Sequence, residues 1–299
     1  MNPETFLSGI DQLSWQGLGI EQRIGHLRTL RRIIGNRSLE IAAAISKECR
    51  RPIEESLSQE VLPALEMIRY LIRKYPAWLN PRPTRSLRPG FFRKRNYIIR
   101  QPLGTVVVIC PANFPFSLAI MSLSYLMLAG NTVVLKPSER SETVAPIIKD
   151  ILEKAGLSPH FARLIEGGPK VAEQLIVRPE IKKVFFYGSR QAGKSGEELC
   201  RESSTPCVLE MGGGVTAIVL RDADIPLAAS GVAWGGMYAG GRSCLSVDRA
   251  FVDGKVYPHF LSALPSAVAA YQEPDKPGER ASPDDHDRLK ALVDDAVSR

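Results

Sequence analysis

The sequence predicts an α/β protein: a parallel, doubly wound sheet followed by a second, incomplete α/β unit. Three observations predict it. Strand-like and helix-like segments alternate at βαβ spacing between residues 105 and 209. The strand-like segments are continuous apolar runs, the pattern of strands buried on both faces. The last segment, 287–299 (DRLKALVDDAVSR), reads as an amphipathic helix with Leu289, Leu292, Val293 and Ala296 on one face, and it ends with no cap and no following strand. With 299 residues, the length itself points to about two domains, placed at 1–209 and 210–299.

The elements follow in order. The first third is helical: Ile24, Leu27, Leu30, Ile33 and Ile34 recur at helical spacing, as do Leu62, Leu65, Ile68 and Ile72. Proline and arginine dominate 81–100 and end this region. Residues 105–110 (TVVVIC) form the first sheet strand, 117–129 a helix closed by Gly130-Asn131, and 132–135 (TVVL) the second strand. A helix over 141–155 ends at Gly156. Strands at 162–165 and 183–187 enclose a helix at 169–177, and a helix at 191–201 precedes a strand at 206–209. The second unit holds a strand at 216–220, a Gly-rich helical stretch at 225–241, an apolar run at 250–252 and a polar, Pro-rich loop at 272–285.

Composition narrows the function. Hydrophobic residues at 44% and charged residues at 24% describe a soluble globular chain. The N-terminus lacks the basic and apolar regions of a secretory signal. Residues 101–135 carry no charge, but glycine, proline and asparagine interrupt them, and the longest clean piece, 117–129, is 13 residues, too short to span a bilayer. Five cysteines (Cys49, Cys110, Cys200, Cys207, Cys244) form no CxxC and no disulfide framework, which fits a reducing cytoplasm. Four scattered histidines give no metal-ligand spacing. Seven Lys or Arg and no acid lie between Arg82 and Arg100, equal to the whole net charge of +7. No nucleic-acid motif accompanies them, so the segment reads as extended, solvated surface.

Several residues could carry chemistry. Cys244, in GGRSC, follows small residues that would let a substrate approach; alone, a cysteine is more often a core residue. Glu210, in LEMGGG, stands at a strand end, where desolvation would raise its pKa and suit it to base catalysis; a solvated loop acid is the ordinary alternative. Asn113, in PANFP, lies between two prolines that restrict the backbone and could hold an amide NH₂ toward an oxyanion, or serve the turn alone. Lys136 and Glu139, in KPSE, follow the second strand near the crevice where such sheets take cofactors; the alternative is an ordinary exposed ion pair. Residues 188–195 (GSRQAGKS) match the phosphate-loop pattern GxxxxGK[ST], with Lys194 and Ser195 in the phosphate and magnesium roles. They also read as a dinucleotide loop, with Gly188, Ser189 and Gly193 approaching a pyrophosphate at a helix N-terminus.

In their order and spacing these motifs resemble the aldehyde dehydrogenase superfamily. NFP, KPSE, FYGS with a later glycine, LEMGG and GRSC follow in the family's sequence, with 23 residues from Asn113 to Lys136 and 34 from Glu210 to Cys244. The early RRPIEES and the later WLNPR look most like the class-3 branch, which acts on fatty, aromatic and coniferyl aldehydes. The resemblance implies a Rossmann-like cofactor domain and an aldehyde dehydrogenase-like catalytic domain. It implies NAD or NADP as cofactor and an aldehyde as substrate; the spacing and composition given above point to no nucleic acid, no metal and no integral membrane segment. Cys244 would be the thiol nucleophile, Asn113 an oxyanion donor and Glu210 the base that activates water. Lys136 and Glu139 would lie near the adenine ribose, and Gly188, Ser189 and Gly193 near the pyrophosphate.

Departures from the family pattern are Ala112 where tryptophan is usual, Gly214 where lysine is usual, and Arg242 in place of the glutamine of GQxC. The family's members continue for on the order of 150 residues more, enough to complete a second domain. That length carries the glutamate that contacts the nicotinamide ribose, the rest of the catalytic sheet and the strand used in forming homo-oligomers. A truncated, catalytically inactive relative is therefore a second reading. A phosphate-loop ATPase is a third, for which 219–222 (VLRD) is a faint second motif.

Overall fold

The computed structural model describes residues 6–84, 90, 94–270 and 283–298. The chain divides into two compact units, one of Met1–Glu48 with Ile53–Met211 and the other of Cys49–Pro52 with Gly212–Arg299.

The larger unit begins with helices α1 (Gln12–Gly17), α2 (Ile20–Asn36), α3 (Ser38–Cys49) and α4 (Ile53–Ser56). A π-helical turn, Leu57–Val61, leads from α4 into α5 (Leu62–Leu79). Of the stripe read from the sequence in α2, Ile24, Leu27, Leu30 and Ile34 are buried and Ile33 is partly buried. In α5 the inward face is Ala64, Ile68 and Leu71, rotated from the predicted stripe so that Leu62 is exposed. Leucines fell on both sides of this helix, and tertiary contact decided between them.

Two short strands occupy the basic segment. β1 (Arg82–Thr84) and β2 (Asn96–Ile98) pair antiparallel, and all their residues are exposed, which agrees with an extended, solvated surface there; residues 85–89 and 91–93 of the segment lie outside the described residues. The parallel sheet then begins. β3 (Thr105–Ile109) leads to α6 (Ser117–Leu128), β4 (Thr132–Lys136), α7 (Val144–Lys154), β5 (Ala162–Leu164), α8 (Pro169–Ile176), β6 (Ile181–Gly188), α9 (Arg190–Glu202) and β7 (Cys207–Met211).

The strand order is β5-β4-β3-β6-β7, with every neighbouring pair parallel. The chain starts at the centre, runs outward through β4 and β5, and returns to lay β6 and β7 on the other side. The order therefore reverses between β3 and β6, the position where open sheets of this kind hold ligands. Alternate residues serve opposite faces. Val107, Ile109, Val134 and Phe186 join Leu175 and Ile176 of α8 and Cys200 of α9 in one core. Val106, Val108, Val133 and Leu135 are equally buried and point the other way, to the face on which α6 packs. Helices α2 and α5 cover α6 in turn. This explains the uncharged run seen in the sequence: α6 is enclosed by sheet and helices, and nine of its twelve residues are buried. Gly130 then closes the helix at φ +94°, a conformation that glycine adopts at no steric cost.

The smaller unit contains Cys49–Pro52, β8 (Val215–Val219), α10 (Ile225–Met237), a 3₁₀ turn at Tyr238–Gly241, β9 (Val247–Val252), α11 (Tyr257–Ala270) and α12 (Pro283–Ser298). The two strands pair in parallel. Val219, Ala229 and Phe260 make a small core, with Ala250 and Val252 packed against it. On the opposite face Ile218 and Phe251, paired across the strands, are 70% and 57% exposed. Sequence reading assigned no element to α11, whose apolar pattern is interrupted by Pro265. The loop expected at 272–285 lies outside the described residues up to 282, and α12 already occupies 283–285. Leu289, Leu292 and Val293, the predicted inner face of the last helix, are exposed. Among the described residues no helix is long and apolar enough to cross a membrane.

Candidate active site and dinucleotide loop

Seven of the eight residues singled out in the sequence belong to the larger unit, and the parallel sheet gathers them at its carboxyl edge. Ile109 of β3 pairs with Lys136 of β4, and Tyr187 and Gly188 of β6 pair with Glu210 and Met211 of β7. The strand ends are thus level. The loop bearing Asn113 leaves β3, Glu139 follows β4, and Ser189 follows β6.

Asn113 is partly buried, and its Oδ1 accepts a hydrogen bond from the Phe114 N–H at 3.1 Å. The loop is anchored from behind by Glu60, a fully buried residue of the π-helical turn. Its Oε2 accepts from the backbone N–H groups of Phe116 (2.8 Å) and Ser117 (2.9 Å), the start of α6. Glu48 does the same for α7, accepting from Thr143 (2.7 Å) and Val144 (3.0 Å). Two acids of the N-terminal helices therefore hold the helix starts that follow the Asn113 and Lys136 loops, a favourable placement against the helix dipole. Burial raises the Glu48 carboxyl above its ordinary pKa, opposed by those backbone hydrogen bonds. The sequence signal for both was slight, an acid at the edge of an apolar helix with no motif around it.

Lys136 is buried, not part of an exposed pair. Its side chain is 4% exposed, and its Nζ lies 3.5 Å from Oε2 of the half-exposed Glu139. Burial lowers the Lys136 pKa and Glu139 partly restores it. The same burial pushes the neighbouring Cys110 thiol up to about 12, against the pull of Lys136.

Residues 188–195 do not form a wrapping loop. β6 ends at Gly188, Ser189 caps α9 by accepting from the Ala192 N–H at 3.3 Å, and the helix is under way at Arg190. Lys194 and Ser195 lie inside that helix, and the Ser195 hydroxyl donates to the Gln191 carbonyl. A phosphate loop needs a run of non-helical residues to surround the phosphates, so that pattern is a coincidence of sequence. The short turn does fit the dinucleotide reading. A Cβ on Gly193 would stand 2.4 Å from Met211 Sδ, so glycine lets α9 close onto the sheet and brings its N-terminus to the carboxyl edge. A Cβ on Gly188 would meet the Phe186 ring at 2.7 Å. Both glycines therefore serve close packing at the turn between β6 and α9.

Glu210 sits on β7, the outermost strand, and is exposed. Within this unit an edge strand has a neighbour on one side only.

Cys244 belongs to the smaller unit. Cys49, Cys110 and Cys200 are buried and Cys207 is partly buried, whereas Cys244 is exposed. Its approach is a tight coil: Ala239, Gly240 and Gly241 have φ of +54°, +66° and +69°. Left-handed backbone costs Ala239 roughly 1–2 kcal/mol. Arg242 donates from Nη2 to the Cys49 carbonyl, tying the segment before Cys244 to the Cys49–Pro52 strip. Among the described residues no group of three His, Cys, Asp or Glu is arranged to hold a metal.

Comparison with known proteins agrees with this architecture. The vanillin dehydrogenase of Pseudomonas fluorescens is 36% identical over 225 residues, covering 71% of this chain and 45% of that protein. Aldehyde dehydrogenase family 3 member A2 of Macaca fascicularis is 30% identical over 259 residues, covering 87% and 53%. The crystal structure of lactaldehyde dehydrogenase from Escherichia coli superimposes with a TM-score of 0.84 at 29% identity, over 90% of this chain and 57% of that one. The chain thus spans about half the length of the curated relatives it matches. Residues 10–299 match the family described as the aldehyde dehydrogenase family, and the chain belongs to it.

Proposed function

We propose that this chain carries the catalytic residues for oxidising an aldehyde to a carboxylic acid with NAD(P)⁺. The observation that carries the reading is the alignment of Lys136, Gly188 and Glu210 along one sheet edge, with Asn113 in the loop that leaves β3, in a member of this family. NAD(P)⁺, when bound, supplies the hydride acceptor. The N-terminus of α9, opened by Gly188, Ser189 and Gly193, would hold the pyrophosphate, and Lys136 and Glu139 would meet the adenine ribose. The Cys244 thiolate adds to the aldehyde carbon. The Asn113 amide and the Cys244 N–H donate to the oxyanion of the thiohemiacetal. Once the thioester has formed, Glu210 takes a proton from water, which releases the acid and frees the thiol. A reducing cytoplasm would keep that thiol available.

The test is NAD(P)H formation from a panel of aliphatic and aromatic aldehydes. Any turnover should vanish in Cys244→Ala. Among the five cysteines Cys244 should be the first alkylated by iodoacetamide, while Cys110 and Cys200, both held at about 12 by burial, stay protected at neutral pH. Alkylation of the others with Cys244 inert removes the nucleophile. A melting shift with Mg-ATP and none with either dinucleotide overturns the cofactor assignment.

A further inference from the structure

In the larger unit, α2 and α5 leave an open groove of about 470 Å³ between them. Five arginines line it: Arg28, Arg31 and Arg32 from α2, and Arg69 and Arg73 from α5, with no acid among the lining residues. Helical spacing puts them there, since positions i, i+3 and i+4 share a face. Two faces of the same charge therefore address one space. Like charges at these spacings weaken a helix, and a cleft of one sign focuses its potential on whatever enters.

Compensation is slight. Arg69 pairs with Glu66 at 3.3 Å between two exposed side chains, and Arg31 Nε donates to the Leu65 carbonyl at 3.2 Å. Arg28, Arg32 and Arg73 have no ion pair among the described residues. Arg37, at the end of the same helix, is paired with both Glu40 and Asp150. The chain thus neutralises an arginine just beyond the groove and leaves Arg28, Arg32 and Arg73 within it without an ion pair among the described residues. Between the guanidinium rows lie Leu65, Ile72 and Gly35. A Cβ at Gly35 would meet nothing within 4 Å, so this glycine keeps the space open and serves no close packing.

We propose that this groove is an anion site for a small molecule with clustered phosphates, separate from the dinucleotide loop. Its volume is in the range of roughly 300–1,000 Å³ usual for small-ligand sites. Guanidinium forks match phosphate oxygens two at a time, and several forks converging on one space favour two or three linked phosphates over a single one. A nucleic acid strand fits less well, because no aromatic side chain lines the groove to stack a base.

The experiment is calorimetric titration of the 299-residue chain with sodium tripolyphosphate, with sulfate and a single-stranded oligonucleotide as comparisons. A parallel arm uses phosphatidylcholine vesicles with and without a bisphosphorylated inositol lipid. Saturable binding of tripolyphosphate, of the phosphorylated vesicles, or of both is expected, and the responding arm identifies the source of the phosphates. Binding should weaken on the order of tenfold to a hundredfold in Arg28→Gln/Arg32→Gln/Arg73→Gln. It should be unchanged in Arg201→Gln, an exposed arginine on α9. Arg31 is left intact because it bonds to the α5 backbone, so the triple variant should keep the parent's circular dichroism and melting temperature. Equal affinity in the triple variant, binding of neither phosphate arm, or preference for the oligonucleotide overturns the proposal.

Discussion

The two units answer the same physical problem differently. The larger unit's five-stranded sheet is covered on both faces, so that every residue of β3 and β4 is buried. The smaller unit's two-stranded sheet is covered on one face only, with Ile218 and Phe251 exposed opposite a core of three fully buried residues. An isolated pair of strands is marginal without a packed face on which to rest. The first unit therefore has the rigidity that positions a site, and the second carries the proposed nucleophile on the less supported scaffold.

The largest expected effect follows from that contrast. The 299-residue chain should show little or no turnover. A chimera that adds the portion of a relative lying beyond the matched region should gain activity that depends on Cys244. Displacing a catalytic group by about 1 Å costs on the order of a hundredfold in rate, and the smaller unit's bare sheet gives Cys244 little to be held against. Robust turnover by the 299-residue chain, lost in Cys244→Ala, would break the comparison while supporting the chemistry.

The next effect concerns stability. Leu135→Ala, in the covered sheet, should cost about 2–5 kcal/mol in denaturant unfolding. Ile218→Ala, on the bare face, should stay within roughly 0.5 kcal/mol of the parent. Equal losses at the two positions would mean that the bare face is covered in solution.

A third, smaller effect sharpens the account of the site. Glu60→Ala removes the acceptor shared by the N–H groups of Phe116 and Ser117 and should cost about 1–3 kcal/mol. Faster amide exchange should be confined to the start of α6. Uniform exchange across the sheet would show that Glu60 has no particular hold on the Asn113 loop.

The smallest concerns Lys136. Its folded-state pKa is lowered by burial, so in the alkaline window below the ordinary lysine value of about 10.4 the unfolded chain binds more protons than the folded one. Stability should rise with pH through that window and fall as pH drops through the folded-state value. Lys136→Met should remove this dependence with little other change in stability, while weakening dinucleotide binding. Unchanged binding would remove Lys136 from the cofactor site.

The larger unit was the more legible in sequence, for physical reasons. Strands buried on both faces must be apolar throughout, so TVVVIC and TVVLK announce themselves. The helix stripe of α5 was less clear because leucines fell on both of its sides. The short strands of the basic segment carry no buried face and leave no pattern. The site residues were visible through their motifs, whereas Glu48 and Glu60 were not. Their partners are backbone N–H groups, which any sequence provides. The exposure of Glu210 was also hidden, because strand order, not local sequence, makes β7 an edge.

Cys49–Pro52 is grouped with the smaller unit although it is synthesised among the helices of the larger one. As the chain leaves the ribosome, this four-residue strip emerges long before the strands and helices it joins. The smaller unit thus awaits a piece made at the outset, and its completion is a long-range closure, slow by the same loop entropy that slows non-local contacts generally. A gene cut at Gly212 would yield a smaller unit without the carbonyl that receives Arg242. No single cut in the polypeptide separates the two units.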